Sequence, residues 1–89
     1  MKIKKLCKTQ YEIITKTDQI YITKEKNPGY NYRGLYLYFI DVFSNTNASI
    51  IPTDVEVFNE LYLAKDYIQD NYNIPDNIIK KITFYMAYT

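Results

Sequence analysis

Histidine and tryptophan are absent from this 89-residue chain, arginine occurs once, at Arg33, and cysteine once, at Cys7. Each absence removes a class of chemistry. Without an imidazole the usual general base near neutral pH is missing, and Cys7 has no partner to hold it as a thiolate nucleophile. A lone cysteine excludes an intramolecular disulfide, and no CxxC or Cys/His cluster offers ligands to zinc. There is no glycine-rich phosphate loop, so no cofactor is expected. The longest apolar run, Leu35 to Ile40, is far shorter than the roughly 18 residues of a membrane span. The basic start MKIKKL lacks a following apolar stretch of signal-peptide length. The expectation is a protein of a reducing cytoplasm, the host's if the source is viral, with Cys7 partly buried in the first strand.

Charge extremes are also missing. A net charge of +1 lacks the basic excess usual in a nucleic-acid-binding domain and the acidic excess of a DNA mimic. The 47% apolar and 24% charged shares are those of a folding globular chain, and the length suits one compact domain over residues 1–89. Thirteen Ile, eleven Tyr, ten Lys and eight Asn are residues favoured by A/T-rich coding. That points to a low-GC bacterium, a phage or other mobile element, or an archaeal virus as the source.

Lys2 to Lys8, Tyr11 to Thr15 and Gln19 to Thr23 are rich in β-branched and aromatic residues and read as strands, with Lys16-Thr17-Asp18 as a hairpin connection. Asn27-Pro28-Gly29 is a turn signal, since proline presets the first turn angle and glycine accepts positive φ. A strand from about Arg33 to Phe43 follows. Its alternation puts Leu35, Leu37, Phe39, Asp41 and Phe43 on one face and Tyr36, Tyr38, Ile40 and Val42 on the other. With helical material for one sheet face only, the expected arrangement buries the Leu/Phe face under a helix and leaves the Tyr face to a partner. Asp41, odd among apolar neighbours, is expected where that face meets solvent, with a strand end or bulge preferred, or paired with a lysine.

After the polar loop Ser44 to Ser49, Ile50-Ile51 before Pro52 reads as the start of an edge strand. Thr53-Asp54-Val55-Glu56 has capping-box spacing, but Asn59 is an equally good cap, and the helix is placed at about Asn59 to Asn71. Asp76 to Lys81 suits a further turn. Alternation over Ile82 to Tyr88 favours a final strand, a helix there remaining open. The fold class is α+β: a mostly antiparallel sheet of three to five strands with one main helix packed on one face.

Carboxylates spaced four apart, Glu56/Glu60 and Asp66/Asp70, could face a cation, but a solvated helix face is the simpler reading. Arg33-Gly34-Leu35-Tyr36-Leu37 opens like an RNA-recognition signature, yet Leu35 and Leu37 stand where that signature has aromatics.

The candidate partner-binding residues are Tyr30, Tyr32, Arg33, Tyr36 and Tyr38, since Tyr and Arg bury large area with few rotors and keep a polar tip. The function expected is a non-enzymatic protein-binding module with no catalytic or metal-binding residues, an accessory protein of a phage or mobile element. It would inhibit or modulate a host protein, such as a defence nuclease complex of the CRISPR type, by occluding a surface. The alternative is weak single-strand nucleic-acid binding through Tyr stacking with Lys2, Lys4 and Lys5 on phosphates. A homodimer through a strand edge or the Tyr face is compatible with either.

Overall fold

The computed structural model describes residues 1–29, 33–45 and 50–84. Five strands form one antiparallel meander in the order of the chain: β1 (Lys2–Cys7), β2 (Gln10–Ile14), β3 (Asp18–Lys26), β4 (Tyr36–Ser44) and β5 (Asp54–Phe58). Helices α1 (Leu61–Tyr72) and α2 (Asp76–Ile79) follow. The fold is the α+β arrangement the sequence implies, a single small domain with one main helix on one sheet face.

Strand alternation and register together choose that face. Ile13 pairs with Ile20, Ile20 with Val42, Tyr11 with Ile22 and Ile22 with Ile40, so the branched side chains of three strands point the same way. They form a core with Ala64 and Ile68 of α1, Ile78 of α2, and Ile74 and Ile82 outside the helices. The helices therefore cover the face carrying Tyr38, Ile40 and Val42, and Phe39, Asp41 and Phe43 look the other way. This inverts the expectation that the Leu/Phe face is buried under the helix, although Leu37 of that face is itself buried, outside the core under the helices. β4 is apolar on both sides and does not choose by itself; the isoleucines of β2 and β3 choose for it.

Two further boundaries differ. The edge strand lies after Pro52, because Asp54, Glu56 and Phe58 alternate with Val55 and Val57 along β5, while Ile50 and Ile51 are exposed and outside any strand. The Thr53–Glu56 capping-box spacing belongs to that strand. Helix α1 starts two residues after Asn59, with Glu60 at its N-cap and no side-chain cap, and ends at Asn73 in the left-handed region, φ 54°. Residues 82–84 form no strand; the rest of the expected Ile82–Tyr88 strand lies outside the described residues. What holds 82–84 is Tyr11, whose hydroxyl donates to the Thr83 carbonyl at 2.9 Å and accepts from its N–H at 3.3 Å, with Phe84 edge-on to the Tyr11 ring at 5.2 Å. Gly29, φ +88°, takes the predicted positive-φ turn, and its N–H is bonded by the Asn27 side chain at 2.9 Å.

The helix is pinned to the edge strand by one carboxylate. Oδ2 of Asp54 accepts the hydroxyls of Tyr67 at 2.6 Å and Tyr72 at 2.5 Å. The bond to Asp54, helped by burial, pushes Tyr67 up to about 12, and burial followed by the same carboxylate pushes Tyr72 up as well. Both phenols lie above the roughly 10 of an unfolded chain, so their contribution is complete below about pH 10 and is lost as pH climbs toward 12. Replacing Asp54 with Ala leaves two partly buried hydroxyls without their acceptor and should cost about 2–3 kcal/mol in urea unfolding at pH 7. The Tyr67→Phe, Tyr72→Phe double variant should show a smaller fall in stability between about pH 10 and 12 than the parent; an undiminished fall would refute the clamp.

A candidate interaction surface on the open sheet face

Among the described residues, both helices pack on one side of the sheet, and the other side carries a band of rings and aliphatics. Register places Glu12, Tyr21, Asp41 and Val55 in one row across β2 to β5, and Gln10, Thr23, Phe39 and Val57 in the next. Phe43 lies beside Gln19 on the far flank. Tyr21 and Phe43 meet edge to face, centroids 5.8 Å apart, a favoured geometry for aromatic pairs. The Tyr21 hydroxyl donates to Glu12 Oε2 at 2.6 Å, which pushes the Tyr21 phenol up and fixes the ring. An open depression of about 530 Å³ is lined by Gln10, Gln19, Tyr21, Asp41, Phe43 and Ile50. At its rim Ile50 is 92% exposed, and on β5 Val55 is 55% exposed.

Asp41 is the unusual member. It lies in the middle of β4, directly between Tyr21 and Val55, and among the described residues its carboxylate takes part in no hydrogen bond or ion pair. The strand-end or bulge position expected from sequence is not what is found, and no lysine pairs with it. The residue is half-buried, and the open depression it lines keeps its carboxylate in reach of water.

The sequence-derived candidates fall elsewhere. Tyr30 and Tyr32 lie outside the described residues. Arg33 is exposed. Tyr36 and Tyr38 are half-buried on the helix-covered side. The Tyr36 ring covers the buried Lys24, whose Nζ is 4.1 Å from its centroid. Tyr38 packs on Phe84 at 5.8 Å, and burial, with the Glu60 charge, pushes its phenol up. The two rings thus cover other groups, contrary to the freely offered Tyr face read from the sequence.

The lysines do not join them. Lys2 and Lys4 sit opposite Ile14 and Glu12, on the open side at the β1 edge, whereas Lys5 points to the other side, 5.7 Å from the Tyr11 centroid. Such exposed lysines guard an edge strand against pairing. Cys7 is exposed instead of partly buried; a hydrogen bond with Thr9 lowers its thiol, but no base accompanies it. Glu56 lies on β5 and Glu60 caps α1, so they do not share a helix face; Asp66 and Asp70 do, in solvent. Among the described residues no group of three His, Cys, Asp or Glu could hold a metal ion, and no helix is long and apolar enough to cross a membrane.

No family model, curated protein or solved structure matches this chain. The chemistry of its surface is the guide. Asp disfavours strands and gains nothing from its neighbours at position 41, so a residue suited to a strand should improve folding there. Asp41→Thr is expected to raise stability by roughly 0.5–1 kcal/mol in urea unfolding. A loss of stability would mean that Asp41 serves the fold.

Proposed function

We propose that this is a non-enzymatic protein-binding module that engages another protein through the open sheet face and acts by occupying that protein's surface. The observation that carries the reading is a five-stranded sheet that, among the described residues, has helices on one side only and presents on the other Tyr21, Phe39, Phe43 and Val55 around a carboxylate with no hydrogen bond or ion pair. Aromatic and aliphatic side chains on a rigid sheet lose little entropy on docking, and such a patch on a small domain is a partner surface by default. An accessory protein of a phage or mobile element, restraining a host protein such as a defence nuclease complex, fits the A/T-rich composition and small size. The free, exposed Cys7 suits a reducing cytoplasm.

Affinity capture of the tagged protein from a bacterial lysate, with and without nuclease, tests this reading. The expected outcome is one stoichiometric protein that survives nuclease and is lost, at least tenfold, with Val55→Asp on the open face. Tyr62→Ser, an exposed position on α1, should leave capture unchanged. Loss of capture with Tyr32→Ala and Arg33→Ala, but not with Val55→Asp, would move the site to the β3–β4 loop. Partners that vanish with nuclease would transfer the protein to single-strand nucleic-acid binding.

A further inference from the structure

The depression on the open face has a composition that selects its occupant. Its floor and walls combine two aromatic rings, Tyr21 and Phe43, one carboxylate, Asp41, and two primary amides, Gln10 and Gln19, with Ile50 at the rim. No lysine or arginine is among these lining residues. In the same row of the open face, Lys4 stands opposite Glu12 at the β1 edge, three strands from Asp41. Glu12 is held by the Tyr21 hydroxyl. The Asp41 carboxylate is therefore the uncompensated charge of the site, with Tyr21 opposite it on β3 and no hydrogen bond to it among the described residues.

The geometry points to a socket for a basic side chain of the protein partner, an arginine flanked by apolar residues. This rests on the open face being the partner-binding surface. A guanidinium is planar, weakly hydrated and carries five donors, so it can lie against an aromatic ring while donating to a carboxylate and to amide oxygens at once. An ammonium offers a point charge that stacks poorly and is more costly to strip of water. The apolar residues beside the arginine would meet Phe39, Val55 and Ile50, which surround the depression and supply hydrophobic area without charge. An acidic partner segment is disfavoured by the Asp41 and Glu12 carboxylates, and a purely apolar one would leave Asp41 without water or a partner.

The test uses the whole chain and a blocked tripeptide, acetyl-Leu-Arg-Leu-amide, beside the same peptide with citrulline in place of arginine. Citrulline keeps the shape and removes the charge. Titrations followed by two-dimensional NMR should show the Arg peptide shifting the resonances of Tyr21, Asp41 and Phe43, with the citrulline peptide about tenfold weaker. Asp41→Asn should lower the affinity of the Arg peptide to that of the citrulline peptide and leave the latter unchanged. Its own amide spectrum reports that the fold is intact. Binding of the Arg peptide should also weaken with added salt. Equal affinity of the two peptides on the open face would overturn the arginine socket and leave the docking face standing. Failure of both peptides to perturb that face, with capture of a protein partner still lost in Val55→Asp, would also overturn the socket. Loss of the capture result itself would remove the reading on which the socket rests.

Discussion

Among the described residues, a twelve-residue and a four-residue helix are the helical material available to a five-stranded sheet, and that ratio governs the rest of the molecule. One layer of helix covers one face. The core can then be built only where branched side chains from neighbouring strands fall in register, and here they are isoleucines of β2, β3 and β4, with Val42. β-Branched residues suit this position twice over, since their rotamers are already restricted in a strand and their volume fills the space below a helix. Covering that face leaves the other to water or to a partner.

This explains how much of the structure was legible in the sequence. The types of β1 to β4 and of α1, the polar connections between them and the antiparallel order follow from local signals, because turn residues and β-branched runs act over a few positions. The choice of sheet face for β4 does not, since Leu, Phe and Asp on one side and Tyr, Ile and Val on the other are both apolar by count. The answer lies in its neighbours: β3 alternates Ile20 and Ile22 with Gln19, Tyr21 and Thr23, and β2 alternates Tyr11 and Ile13 with Gln10 and Glu12. Carried across the ladder, those alternations set the face of β4. The same reading would have found β5, whose Asp-Val-Glu-Val-Phe pattern was masked by an equally valid capping-box spacing. The site was displaced for the same reason, because Tyr36 and Tyr38 were assigned to the open side.

Tyrosine supplies the polar tips that a chain without histidine or tryptophan lacks. Tyr11 ties the segment after α2 to β2 through Thr83, Tyr21 bonds Glu12 on the open face, and Tyr67 and Tyr72 converge on Asp54. In each case an apolar ring is buried or stacked while its hydroxyl finds an acceptor, and no buried side-chain polar atom among the described residues is left unsatisfied. The polar network is therefore distributed over separate ties that join one element to another.

Two aspartates make the contrast that separates structure from function. Asp41 pairs with Val55 and Val42 pairs with Asp54, so the two Asp-Val steps of β4 and β5 lie on adjacent rungs of one ladder with their carboxylates on opposite faces. Placing a carboxylate among branched apolar residues is unfavourable on either side. Under the helix, Asp54 recovers that cost through two tyrosine hydroxyls and joins α1 to the sheet. On the open face, Asp41 has equivalent strand geometry, aromatic neighbours and no donor. The fold gives Asp54 a reason to be there and gives Asp41 none; the proposed partner surface is the reading that supplies one.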